Sequence, residues 1–130
     1  MSETILVVDD DDDIRAVARQ ALVAQGYVVL ETGDPQQALR LAKQQRIDLL
    51  FSDVVMPLMK GTELADRIQA VSGSTKVLLT SGFQTSDVGP SGRPFLAKPF
   101  SIDDLVRRVR ETLDRPSSFA RPTKAPGAPQ

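Results

Sequence analysis

Five aspartates stand in a row, Asp9 to Asp13, directly after the apolar run "TILVVD" at 4 to 9. Another aspartate, Asp53, closes a second such run, "IDLLFSD" at 47 to 53, and Lys98 precedes a proline at the end of a third, "RPFLAKP" at 93 to 99. A fourth run, "KVLLTSG" at 76 to 82, ends in the hydroxyls Thr80 and Ser81. The 130 residues contain no cysteine and no histidine, which excludes disulfides and thiolate metal sites and removes the commonest general base. Chemistry must therefore run on carboxylates, hydroxyls and lysine. Three carboxylates at one crevice repel by roughly 1 kcal/mol per close pair in water, and by several times that in a partly buried site. A cation must compensate them. Oxygen-only ligation selects a hard ion, and a few carboxylates with positions left for water and phosphate favour Mg2+ over Ca2+. Asp9 and Asp10 are a pair suited to holding the metal, while Asp53 stands alone and is the candidate nucleophile, accepting a phosphoryl group as an aspartyl phosphate. Lys98 supplies the second positive charge.

For these residues to meet, the runs that carry them must be neighbouring strands. "TILVVD" is rich in β-branched residues and reads as a strand buried on both faces. Asp11 to Asp13 read as the cap and first turn of a helix, where carboxylates meet exposed amides and the positive end of the helix dipole. That helix carries a stripe of Ile14, Val17, Ala18, Ala21 and Leu22 and stops at Gly26. "YVVLET" at 27 to 32 is a second strand. "DPQQALRLAKQQ" starts a helix on Asp34 with Pro35 at its first position. "TELADRIQAVSG" is a helix with Leu64, Ile68 and Val71 inward, and "SIDDLVRRVRETL" is a final helix capped by Ser101, with Ile102, Leu105, Val106, Val109 and Leu113 as its stripe. Strand and helix alternation implies a parallel sheet covered on both faces with right-handed crossovers. In such a sheet ligands bind beyond the carboxyl ends of the strands, where the candidate residues fall.

One crossover departs from the pattern. Between the fourth and fifth strands, "FQTSDVGPSGRP" at 83 to 94 holds Gly89, Pro90, Gly92 and Pro94, so the helix due there is expected to be short or missing. The domain is expected to span 1 to 114, followed by a disordered Pro-rich tail over 115 to 130. All 17 acids lie in 1 to 114 while three of the 16 bases, Arg115, Arg121 and Lys124, lie beyond, so the body carries 13 minus 17, or −4. An acidic body argues against nucleic-acid binding. No run approaches the ~18 apolar residues that span a bilayer, and "MSETILVV" lacks the basic region of a secretory signal, so no membrane association and a cytoplasmic location are expected.

Four motifs in order, "ILVVDDDDDIR", "DLLFSDVVMPLMKG", "VLLTSG" and "FLAKPF", make the sequence resemble a response-regulator receiver domain of two-component signalling over residues 4 to 114. The resemblance implies a flavodoxin-like, doubly wound α/β fold with five parallel strands in the order 2-1-3-4-5. It implies Asp53 as phosphoacceptor, Asp10 as a direct Mg2+ ligand, Asp9 as a ligand through water, and the backbone carbonyl of Val55 as another. Ser81, which precedes the small Gly82, takes the place of the switch hydroxyl, with Thr80 pointing away. Lys98 would bind phosphate and form a cis bond to Pro99, and Phe95 sits at the aromatic switch position, where a core role is equally open. The donor would be a histidine kinase or a histidine phosphotransfer protein. Such a domain is not an enzyme beyond catalysing its own phosphorylation and dephosphorylation. The short fourth crossover resembles receivers of hybrid sensor kinases, here as a stand-alone single domain. Val55 and Phe83 cannot orient an attacking water, which implies a long-lived phosphoryl group.

The surroundings of these residues exclude some alternatives. A dinucleotide or flavin binder needs a loop rich in glycine or hydroxyls after the first strand, where five aspartates stand. A phosphatase with an aspartate nucleophile would carry a second acid two residues on, where Val55 stands. A phosphorylation-independent interaction module and a phosphate shuttle or sink in a phosphorelay both remain open. Arg107, Arg108 and Arg110 read as a solvated helix face.

Overall fold

The computed structural model describes residues 2–82 and 92–115. Five strands, β1 (Thr4–Val8), β2 (Val28–Thr32), β3 (Leu49–Asp53), β4 (Lys76–Ser81) and β5 (Phe95–Ala97), pair in parallel in the order β2-β1-β3-β4-β5. The helices are α1 (Asp12–Ala24), α2 (Pro35–Gln44), α3 (Gly61–Val71) and α4 (Ile102–Asp114). This is the doubly wound parallel sheet expected from the alternation, in the flavodoxin-like strand order that the resemblance implies. Of the segment 83 to 94, where a short or missing helix is expected, residues 83–91 lie outside the described residues, as does the tail from 116 onward.

Both faces of the sheet are covered, and β1 shows why its sequence is continuously apolar. Leu6 and Val8 belong to one core cluster with Ala38, Leu64, Ile68 and Phe95. Ile5 and Val7 belong to the other, with Leu22, Phe51, Leu105 and Val109. Alternate residues of one strand thus feed two cores, and each fully buried aliphatic side chain contributes about 1.5–3 kcal/mol.

The caps follow the sequence closely. Asp11 accepts from the amides of Asp13 and Ile14, Asp34 from that of Gln36, and Ser101 from that of Asp104. Gly26, at φ +95°, takes the left-handed conformation just after α1 that an L-residue rarely adopts. Lys76 Nζ donates to the Leu113 carbonyl at 3.2 Å, so β4 caps the last turn of α4. Arg110 ties α4 to the start of the chain, donating to Glu3 Oε2 at 3.0 Å, Asp114 Oδ1 at 2.8 Å and the Tyr27 hydroxyl at 3.3 Å.

Three stripe residues do not face the core. Val17 on α1, Val71 on α3 and Ile102 on α4 are 45%, 50% and 55% exposed. Val71 and Ile102 are terminal residues of their helices, where the axis has run past the sheet. Val17 lies beside Ala18, which takes the inward position and is fully buried.

Thr80 is buried, and its hydroxyl has no hydrogen-bond partner among the described residues. Valine has the same shape without the desolvated polar atom. Thr80→Val is therefore expected to stabilise the fold by about 1 kcal/mol, raising Tm by about 4 °C in a calorimetric scan.

Candidate functional site

Asp9 and Asp10 follow the last residue of β1, and Asp53 is the last residue of β3, the strand beside it. Register brings their side chains to one edge, where oxygens of Asp9, Asp10 and Asp53 all lie within 4.8 Å of one another. Asp9 and Asp53 are buried, at 2% and 7% exposure, while Asp10 is exposed. Two desolvated carboxylates need a counter-charge, and Lys98 provides it from the end of β5. Its Nζ donates to Asp9 Oδ2 at 2.9 Å and to Asp53 Oδ2 at 3.4 Å. The bond from Lys98 to Pro99 is cis.

Backbone amides complete the arrangement. The Asp11 amide donates to Asp9 Oδ1 at 2.9 Å and the Val55 amide to Asp53 Oδ1 at 3.2 Å. Ser81 is buried, and its carbonyl accepts from the Lys98 amide at 3.2 Å, which places it beside the lysine across the β4–β5 pairing. Thr80 pairs in register with Asp53, so strand alternation sends its side chain to the opposite face from that of Ser81. Phe95 is buried in the core cluster with Leu79 and Ile68.

Several contributors have weaker signals in the sequence. The Phe100 ring meets that of Phe51 edge-on at 5.8 Å between centroids, joining the residue two after Lys98 to the one two before Asp53. Gly61, the first residue of α3, donates its amide to the Val54 carbonyl at 2.8 Å, and a Cβ there would lie 2.1 Å from the Asp53 carbonyl oxygen. Arg15 donates to the Asp9 carbonyl from α1. A single glycine or arginine carries no positional signal of this kind, because the partner is fixed only by the fold.

Burial, reinforced by the Asp9 carboxylate, pushes the Asp53 pKa up, against the lowering pull of Lys98 and the Val55 amide. Burial disfavours the charged Lys98, but its bonds and attraction to Asp9 and Asp53 outweigh this and hold its pKa above the ordinary value. The folded state therefore holds the Asp53 proton more tightly than the unfolded chain does. That contribution is fully present below the unfolded carboxylate pKa and is lost as pH rises through the folded one. At neutral pH the ionised Asp53 burdens the metal-free fold. Asp53→Asn is accordingly expected to raise stability by about 1 kcal/mol at pH 7 in chelator, with the gain fading toward acid pH. Urea titrations across that range check the sign.

The donor set fits a hard divalent cation: three carboxylates converge, two of them buried, and the nearby lysine is shared between two acids. Asp9, Asp10 and Asp53 are the residues that would hold it.

A parallel 2-1-3-4-5 sheet with an acidic cluster and a lysine at its carboxyl edge defines a receiver-type signalling domain. The family model for the response regulator receiver domain matches residues 5–110, and the chain belongs to that family. It is 34% identical over 119 residues to the DNA-binding response regulator MtrA of Mycolicibacterium smegmatis, covering 88% of this chain and 52% of that protein. It is 33% identical over 122 residues to the sensor kinase CckA of Brucella abortus, covering 88% of this chain and 13% of that one. The chain thus spans about half the length of the first relative and a small part of the second. Among solved structures, the receiver domain of the hybrid histidine kinase CckA superimposes with a TM-score of 0.75 at 39% identity, over 85% of this chain and 99% of that domain. Among the described residues no helix is long and apolar enough to cross a membrane.

Proposed function

We propose that this domain takes a phosphoryl group from a histidine kinase or a histidine phosphotransfer protein onto Asp53 in a Mg2+-dependent reaction, and signals through a conformational switch read by a partner. The observation that carries the reading is the convergence of Asp9, Asp10 and Asp53, with the Lys98 ammonium shared between Asp9 and Asp53. An Asp53 carboxylate oxygen attacks the phosphorus as the bond to the donor imidazole nitrogen breaks. Lys98 neutralises charge on the transferred oxygens. Mg2+, held by Asp10, Asp53 and the Val55 carbonyl, and by Asp9 through water, would supply the second positive charge. The donor histidine comes from outside these 130 residues, which contain none.

Ser81 then hydrogen-bonds a phosphoryl oxygen, and Phe95 takes up the space this opens. The event biases an existing equilibrium between two arrangements. Val55 is half-exposed and apolar, so it offers nothing to orient an attacking water, and Phe83 lies outside the described residues. The phosphoryl group should therefore persist well beyond seconds. The same reading places the domain in the cytoplasm, with the kinase.

The test is incubation with Mg2+ and acetyl phosphate followed by intact-mass measurement. A phosphoryl adduct is expected in the wild type and absent in Asp53→Asn. A wild type that acquires no adduct would favour a receiver fold working as a phosphorylation-independent interaction module.

A further inference from the structure

Asp9 reaches the site from a connection of three residues between Val8 and Asp12, and so short a turn has few bonds to fix its direction. The Asp9 amide donates to the Thr32 carbonyl at 3.3 Å, a long bond. The stronger hold is on the carbonyl side, where Arg15 Nη1 donates to Asp9 O at 2.7 Å. The same guanidinium donates from Nε to Glu31 Oε1 at 3.2 Å and from Nη2 to Asp12. One planar fork thus joins the acidic turn, the first turn of α1 and strand β2. Its side chain is only 17% exposed. Gly33 leaves the space for it, since a Cβ at that position would lie 2.8 Å from Arg15 Nη1 and 3.4 Å from the Asp9 carbonyl oxygen.

We propose that Arg15 is a positioning residue for the acidic site, holding the Asp9 carbonyl so that the Asp9 and Asp10 carboxylates face Asp53. This deepens the metal-binding reading above and rests on it. Charge and position make opposite demands here. A cation close to three carboxylates disfavours Mg2+ by repulsion, so removing it tightens binding if charge is all it supplies. Loss of the fork lets the Asp9–Asp11 turn rotate, and binding weakens. Partners that orient metal ligands from behind typically contribute 10–100-fold in affinity.

Two variants separate these effects from folding. Arg15→Gln removes the fork and its charge. Gly33→Ala retains every charged group and displaces only the flexible end of Arg15. Arg19→Gln is the control, since Arg19 also pairs with Glu31, at 3.5 Å, from an exposed position on the same helix.

Calorimetric titration with MgCl2 is expected to show roughly tenfold weaker binding in Arg15→Gln, weakening in the same direction in Gly33→Ala, and unchanged or slightly tighter binding in Arg19→Gln. A second readout needs no metal: the Asp11 amide, bonded to Asp9 Oδ1, should exchange with water several-fold faster in Arg15→Gln and Gly33→Ala but not in Arg19→Gln. Mg2+ affinity in Arg15→Gln equal to or above that of the wild type overturns the proposal. So does unchanged Asp11 exchange in both fork variants. If the wild type binds no Mg2+, the metal-site reading fails, and the exchange measurement still decides the role of Arg15.

Discussion

Gly61→Ala is expected to destabilise the fold by about 3 kcal/mol, near the upper end of what one added methyl group costs in a tight interior. A Cβ at Gly61 would lie 2.1 Å from the Asp53 carbonyl oxygen, 2.9 Å from its carbon and 3.0 Å from Val54 Cα. All three neighbours are backbone, so relief requires α3 or the end of β3 to move as a unit. Such a movement would also strain the bond from the Gly61 amide to the Val54 carbonyl. Lys60, which precedes α3, offers no side-chain bond to hold the helix start in compensation. Urea unfolding checks the loss, with Gly73→Ala as control, since a Cβ there would meet only the Gln69 carbonyl oxygen at 3.9 Å. Because the collision is with Asp53, the proposed phosphoacceptor, phosphorylation by acetyl phosphate should fall in the same variant even at temperatures where it remains folded.

Lys98→Met is expected to act with opposite signs on two measurements. Removing the ammonium leaves Asp9 and Asp53 buried without the partner they share, and losing one member of a buried ion pair costs about 3–5 kcal/mol. The metal-free protein should be destabilised by close to the lower figure, since Asp53 can regain some solvent. Mg2+ should then restore more stability to the variant than to the wild type, because it no longer competes with a tethered cation. Under the proposed function the phosphorylation rate should nevertheless drop by about 100-fold or more, since the charge proposed to meet the transferred oxygens is missing. Denaturation with chelator and with Mg2+, beside single-turnover phosphorylation, separates the two effects. Equal destabilisation in both media would refute the competition between lysine and metal.

Most of the architecture was legible because its signals are local. Asp34 with Pro35, and Ser101 with Asp104, mark helix starts within four residues, and the apolar runs ending in Asp9, Asp53, Ser81 and Lys98 mark strands whose carboxyl ends share an edge. Periodicity alone placed Val17, Val71 and Ile102 inward, but a stripe gives no information on where the sheet beneath a helix ends. The acidic cluster could be anticipated because like charges at strand ends demand a cation. What lay beyond reach was support from behind: Phe100 against Phe51, Gly61 against the Asp53 backbone, and Arg15 spanning to Glu31. These contacts join residues 16 to 49 positions apart or depend on a side chain that is absent, so no local pattern records them.

The aromatic inventory bears on how this domain can be observed. There is no tryptophan, and the single tyrosine, Tyr27, has its hydroxyl against Arg110 at the seam between α4 and the α1–β2 connection. Intrinsic ultraviolet emission therefore reports on that seam and is blind to the acidic edge. The Phe51–Phe100 contact offers the missing optical window, because an indole introduced as Phe100→Trp would sit two residues from Lys98 and within the same packing layer as the strand that ends in Asp53. Its emission would then report on the two events proposed for that edge, cation binding and phosphorylation of Asp53.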